Sequence, residues 1–393
     1  MLKKGLLLIF ILFFSNAKGQ QNILSSQTDI SVLTIAPGVS LNDAFGHSAF
    51  RIKDPIKGTD LVFNYGVFDF ETPNFYLKFA QGKLNYLIGL NYYEDFYESY
   101  VSQNRTIKEQ VLNLSTTEKQ KLFDYLLNNI KPENRAYLYD FFYDNCATKI
   151  RDVLESVSEK GIVFKEPENF KPENFRALIH SKVDRNSWGS LGIDVALGSV
   201  IDKEASPREH MFLPDNIFAF FESATIKGTG EKLVKKTNIL FQKIVQPTPF
   251  NFFSSPLFIM GVIGFLILLI TYKDFKNNKR SRWLDTVIFG ITGIIGVLIL
   301  LLWFATDHDG THQNYNLLWA FALNLFVIPQ LFKKETPKWF LKYLKFLIIL
   351  LCLLTLHWII GVQVFAIALI PLLIALAIRY MYLILNFKKF MSV

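Results

Sequence analysis

Phe45-Gly46-His47-Ser48-Ala49-Phe50-Arg51-Ile52 alternates apolar and polar side chains and reads as a β-strand. Similar segments at 30–35 and 61–65 flank it, which predicts a short antiparallel sheet carrying His47. Gly46 would allow another chain to approach closely. The second deciding stretch is Asp144-Asn145-Cys146-Ala147-Thr148-Lys149-Ile150-Arg151-Asp152. Its Asp-Asn pair supplies N-cap side chains, and Ile150, Val153, Leu154 and Val157 then recur at helical spacing, so Cys146 falls in the first turn of a helix. Upstream, Ser115-Thr116-Thr117-Glu118 is a capping-box pattern opening a helix that ends near Asn129. Strands and helices in this order predict an α+β domain.

The chain has two cysteines, and Cys352 lies inside an apolar run, so Cys146 is alone in the hydrophilic part. A thiol at a helix N-terminus meets unpaired N–H groups and the positive end of the dipole, both of which favour the thiolate. The alternative is a buried cysteine acting as a small hydrophobe. A thiolate nucleophile needs a base, and the hydrophilic part offers His47, His180 and His210. His47, on a rigid strand, suits the role; His180 sits in a polar stretch that reads as solvated, and His210 lies among prolines and reads as loop. Asn64, Asp69 and Asp43 are candidates for orienting the imidazole, with turn and strand-end chemistry as their alternative. Arg51 is a candidate for holding a phosphate through its planar guanidinium fork, with Arg105 and Arg151 as further possibilities and a surface salt bridge as the alternative for each. The Cys146 N–H is a natural oxyanion donor; the second donor cannot be read.

The 393 residues are 51% hydrophobic and 19% charged, which excludes disorder and argues against a purely soluble enzyme. The net charge of +8 divides unevenly: residues 1–19 carry +3, residues 20–252 carry −3 and residues 253–393 carry +8. The hydrophilic segment is slightly acidic, so nucleic acid is not an expected partner. Residues 1–19, with Lys3 and Lys4 ahead of a ten-residue apolar core and small residues at Ala17 and Gly19, read as a signal peptide with Gln20 as the mature start. Residues 20–252 are then an exported domain and residues 253–393 a membrane domain.

Five apolar runs follow, near 254–272, 284–304, 317–332, 346–360 and 362–385, and about 20 residues cross a bilayer. The first and third connections and the tail carry Lys and Arg, including Lys334 and Lys389, whereas the second and fourth carry none. The positive-inside rule therefore expects a cytoplasmic C-terminus and an exported N-terminal domain. The second connection, Asp307-His308-Asp309-Gly310-Thr311-His312, has groups that suit a metal or a lipid headgroup, with a plain interfacial loop as the alternative; Gly310 argues against one helical face, and His308 and His312 are kept as headgroup candidates with no metal expected. The dense aromatics at 68–79 and 92–100 read either as a lipid-facing or acyl-chain groove or as core, and core is the favoured expectation. No repeat, phosphate loop or zinc signature is present.

The order His before Cys, with GHSAFRI on a strand and DNCATKIRD opening a helix, resembles the circularly permuted papain-like superfamily of NlpC-type hydrolases and lecithin:retinol acyltransferase. More narrowly, FGHSAFRI, VFNYGVFDF, QNRTI, LNLS, YDNCATKIRD, ALGSVIDKEAS and MFLPDNI, followed by apolar runs, resemble the Lnb-type membrane proteins of Bacteroidetes. The resemblance implies a periplasmic domain in the inner membrane's outer compartment, five transmembrane helices, no cofactor, and transfer of an acyl chain from a phospholipid to the N-terminal amine of a diacylglyceryl lipoprotein. A papain-like cell-wall amidase or endopeptidase, or an anchored phospholipase or thioesterase, would use the same Cys146 and His47.

Overall fold

The computed structural model describes residues 23–245, 252–333 and 337–389. The expected signal peptide at 1–19, its Gln20 junction, Lys334 and the side chain of Lys389 lie outside the described residues. The chain begins with strands β1 (Asp29–Ile35), β2 (His47–Asp54), β3 (Thr59–Val67), β4 (Asn85–Tyr92), β5 (Ile107–Leu112) and β6 (Ala136–Leu138). A small ribbon pairs β7 (Ile162–Val163) with β8 (Thr225–Ile226), and β9 (Val234–Phe241) completes an antiparallel sheet of order β6-β4-β3-β2-β1-β5-β9. Between the strands run α1 (Phe75–Ala80), α2 (Tyr93–Ser102), α3 (Thr116–Asn129), α4 (Cys146–Val157), α5 (Phe175–His180), α6 (Trp188–Ala196), α7 (Pro207–His210) and α8 (Pro214–Ser223).

Strand alternation divides the core. Ile30, Val32, Phe50, Ile52 and Phe63 face α3, α4 and α8, meeting Leu122, Ile150, Leu154, Ile217 and Phe220. Leu33, Ile35, Ala49 and Val62 face the other way, onto Phe96 of α2. Helix α3 begins with the expected capping box, Ser115 accepting from the Glu118 N–H and Glu118 from the Ser115 N–H.

The C-terminal region contains α9 (Pro256–Lys276), α10 (Arg282–Phe304), α11 (Asn324–Val327), α12 (Lys338–Ile359) and α13 (Ile370–Lys389). Four helices among the described residues are long and apolar enough to cross a membrane, the last spanning Ile367–Lys388. The third apolar run is not one of them, which corrects the expectation of five regular spans. It breaks into a 3-10 turn (Tyr315–Leu318), α11 and a second 3-10 turn (Ile328–Phe332) that contains Pro329. This broken segment lies along α10, where glycines admit its backbone: a Cβ on Gly296 would stand 2.2 Å from the Ala320 carbonyl oxygen, and one on Gly293 would stand 2.6 Å from Leu325. Its buried Asn324 donates to Thr292 Oγ1 at 2.8 Å and accepts from the Tyr343 hydroxyl at 2.5 Å. Irregular backbone at membrane depth is tolerated where protein covers it in this way.

The sequence pattern also does not reveal a buried ion network at the lysine-rich end of these helices. Arg379 pairs with Asp285 at 2.7 Å and Asp274 at 2.8 Å, and Arg280 pairs with Asp285 at 2.7 Å. The two domains are joined by hydrogen bonds from α6 and its following turn to the connection after α10. Asn314 and Asn316 side chains donate to the Val195 and Asp194 carbonyls, each at 2.8 Å, and the Gly198 N–H donates to Gly310 at 2.9 Å.

Candidate functional site

Asn145 and Cys146 take their positions from a tight local structure. A bridge between Asp140 and Asp144 closes the turn before α4, with Asp140 Oδ1 accepting from the Phe142 and Tyr143 N–H groups, each at 2.7 Å. Asn145 is the N-cap: its Oδ1 accepts from Ala147 at 2.8 Å and Thr148 at 3.0 Å, while its Nδ2 donates to the Phe141 and Phe212 carbonyls at 2.8 Å. Cys146 is therefore the first residue of α4, half-buried rather than walled off.

Strands bring the partner groups to it. His47 opens β2 after Gly46, whose φ of +81° turns the chain and whose Cβ position would lie 2.7 Å from the Ile35 carbonyl. The register of β3 shifts between Tyr65 and Val67, and Gly66 there has φ of +89°; a Cβ on it would stand 3.8 Å from the Cys146 Cβ. His47 stands close enough to the Cys146 thiol for each to shift the other's ionisation, and its Nε2 is bonded to Asn64 Oδ1. With Nε2 engaged, Nδ1 is the nitrogen left for the sulfur.

Electrostatics follow from this contact. Burial pushes the Cys146 thiol up, but the charge and hydrogen bond of His47, helped by the Ser48 and Ala147 N–H groups, bring it below an ordinary thiol. Burial presses the His47 imidazole down, yet Cys146 and Asn64 raise it above its usual value, against an opposing push from Arg105. The pair thus favours thiolate and imidazolium. Tyr100 covers the imidazole at 6.3 Å between centroids, and its own phenol is pushed up to about 12, chiefly by burial.

The remaining candidates separate. Asn64 is beside His47, whereas Asp69 is exposed and accepts from the Glu71 N–H at 2.9 Å, which is turn chemistry. Asp43 accepts from Ser40 at 2.6 Å and lies 3.4 Å from Arg105. Arg105 is buried under Tyr100, donates to the Ala36 carbonyl at 2.9 Å, and keeps Nη2 without a hydrogen-bond partner. Arg51 is not a free fork: Asp60 holds it through two bonds of 2.7 and 2.6 Å, Glu109 through a third of 2.9 Å, and Tyr93 lies beneath it. Arg151 is buried between Asp152 at 2.7 Å and the Arg208 carbonyl at 2.9 Å. His180 is not solvated but pairs at 3.0 Å with Asp194, which also holds buried Arg176. His210 is no loop residue; it ends α7 buried, donating to the Ser206 carbonyl and accepting from the Glu173 N–H.

His308 donates through Nε2 to the Phe79 carbonyl at 3.0 Å. His312 contributes its carbonyl to the packing against Gly198. The loop is a docking element, and no cluster of three His, Cys, Asp or Glu suited to a metal occurs among the described residues. Sequence reasoning missed Tyr137 and Tyr139, both close enough for the Cys146 charge to help raise their phenols after burial. The Tyr-Leu-Tyr alternation just before the Asp-Asn-Cys turn is the signal that would have found them. The Tyr137 hydroxyl is buried and has no hydrogen-bond partner.

Two family models match the chain: the Lnb N-terminal periplasmic domain over residues 15–180 and the Lnb transmembrane domain over residues 248–390. The chain belongs to the Lnb-type family. No curated protein and no solved structure matches it. Residues between the two matched segments complete this Lnb-type protein's site, since β9 closes the sheet and Phe212 anchors the Asn145 cap.

Proposed function

We propose that this Lnb-type protein is a lipoprotein N-acyltransferase with a permuted papain-like centre of Cys146, His47 and Asn64. The reading rests on one observation: a thiol at a helix N-terminus set beside an imidazole that is itself held by an amide, in a domain tied to a membrane domain. The Cys146 thiolate attacks the ester carbonyl of a phospholipid, and imidazolium His47 gives its proton to the departing glycerol oxygen. This leaves an acyl-thioester, a lysophospholipid and a neutral imidazole. The neutral N-terminal amine of a diacylglyceryl lipoprotein then attacks the thioester. His47 takes the proton released by the amine, and Cys146 departs as thiolate, regenerating the starting pair.

Each tetrahedral intermediate carries an oxyanion. Asn145 already occupies the Ala147 and Thr148 N–H groups, which leaves the Cys146 N–H at the first helical position as one donor. Tyr137, with its unpartnered hydroxyl, is the second. In this reading the protein sits in the inner membrane, the broken segment at 315–332 completes a fifth crossing, and the C-terminus is cytoplasmic.

Mass spectrometry of lipoprotein N-termini tests the proposal in cells carrying native protein or Cys146→Ala. The N-linked acyl mass is expected to vanish with Cys146→Ala; unchanged spectra would return the reading to a cell-wall hydrolase or a lipase using water.

A further inference from the structure

Residues 68–79 were expected to be core, and the structure shows otherwise. Phe70 is 66% exposed, Tyr76 79% and Phe79 54%, gathered on one short segment around α1. An exposed cluster of large aromatics in a soluble environment demands a partner. The place of this cluster in the fold identifies that partner. Phe79 receives its hydrogen bond from His308, the Gln81 carbonyl accepts from the Asp307 N–H at 2.8 Å, and a Cβ on Gly82 would lie 3.1 Å from the His308 backbone. These contacts fall within four residues of Phe304, the end of membrane-crossing helix α10. A helix rises about 1.5 Å per residue, so α1 is fixed near the level where α10 leaves the apolar layer. Trp303 and Phe304 stack there at 4.9 Å, in the manner of an interfacial aromatic belt. Lys78 on the same segment suits a phosphate headgroup, while Lys83 pairs with Asp307 at 3.9 Å.

The aromatic face also leads inward. Phe70 meets Phe68 at 4.9 Å, Phe68 meets Tyr86 at 5.6 Å, and Tyr86 stacks on Tyr139 at 4.1 Å. The Asp140–Asp144 bridge brings the chain after Tyr139 back to Asn145 and Cys146. We infer that the aromatic face of residues 68–79 lies in the periplasm-facing leaflet and delivers phospholipid from it along Phe68, Tyr86 and Tyr139 to Cys146. Delivery rests on the acyltransfer reading above; the leaflet contact does not.

Two measurements on the full chain in phosphatidylethanolamine–phosphatidylglycerol vesicles test this. In a Cys146→Ser/Cys352→Ser background, spin labels on Phe70→Cys, Tyr76→Cys and Phe79→Cys are compared with Ile56→Cys. Ile56 is 62% exposed beside the opposite end of β3, about 30 Å of strand away. The ratio of oxygen to nickel-chelate collisions is expected to be at least about threefold higher at the three aromatic positions. Equal ratios overturn the leaflet contact, as does shielding from both reagents, which would mean that protein covers the face. In the otherwise native chain, Tyr76→Ser/Phe79→Ser should slow acyl-thioester formation from vesicle phospholipid at least about tenfold, with iodoacetamide alkylation of Cys146 unchanged. An undiminished thioester rate overturns delivery. If the native chain itself forms no thioester, the acyltransfer reading falls and the spin labels still decide the leaflet contact.

Discussion

His47 Nε2 is bonded to Oδ1 of Asn64, a residue 17 positions further along the chain and on the neighbouring strand. The bond does two things: it fixes the imidazole plane toward Cys146, and it favours the protonated ring. Asn64→Ala should therefore lower kcat by about ten- to a hundredfold through a misplaced base. It should also leave a distinct mark on pH dependence. Activity needs thiolate and imidazolium together, so it rises as Cys146 ionises and falls as His47 loses its proton. Asn64→Ala removes a bond that raises His47 and should move the alkaline limb to lower pH. Arg105→Met removes a charge that lowers His47 and should move the same limb to higher pH. Profiles of kcat/KM that shift in the same direction for both would refute this account of the pair.

Tyr137→Phe deletes one oxygen and leaves the ring against Tyr65 and Lys149. If the hydroxyl serves the oxyanion, kcat should drop about a hundredfold with little change in melting temperature. A variant with native kcat would leave the Cys146 N–H as the only assigned donor.

At Gly66 the prediction concerns backbone strain. Its φ of +89° suits glycine, and the space toward the Cys146 Cβ, 3.8 Å, is ordinary contact. Gly66→Ala should cost about 1–3 kcal/mol of stability without a direct clash. Because the bulge positions β3 beside the sulfur, the alkylation rate of Cys146 should change along with the melting temperature.

How much of this was legible in the sequence depends on whether the controlling interactions were local. The Ser115 capping box and the Asn145 cap involve neighbours three residues apart, so both helix starts could be read directly. His47 and Asn64 lie on adjacent strands, and hairpin spacing put Asn64 among the candidates but could not separate it from Asp69. For Arg51 the sequence left a phosphate fork and a salt bridge equally open, because its partner Glu109 comes from β5, far along the chain. The third apolar run misled because hydropathy cannot see that glycines on α10 let irregular backbone pack against it. The aromatics at 68–79 left two readings open for another reason: pattern reports that a face is apolar and is silent on whether protein or lipid covers it.

The joint between the domains offers a paired test. A Cβ on Gly198 would stand 1.8 Å from the His312 carbonyl oxygen, whereas one on Gly192, inside α6, meets nothing within 4 Å. Gly198→Ala should separate α6 from the loop after α10 and lower the melting temperature in detergent by several degrees. Gly192→Ala should raise stability by about 0.5–1 kcal/mol, since alanine is the better helix former. Equal effects would mean that the close approach at Gly198 does not hold the domains together.

The last prediction separates charge pairing from packing in the membrane domain. Arg379 is fully buried and joins α13 to both Asp274 on α9 and Asp285 on α10. Arg379→Leu keeps most of the volume but takes the cation from two carboxylates; among the described ion pairs Arg280 still reaches Asp285. The expected loss is about 3–5 kcal/mol, read as a fall in thermal stability in detergent. Adding Asp274→Asn removes the carboxylate left without a cation and keeps its capacity to hydrogen-bond Ser281. The double variant should therefore recover a good part of the loss. If it is no more stable than Arg379→Leu alone, the network acts through the packing of the arginine stem rather than through charge.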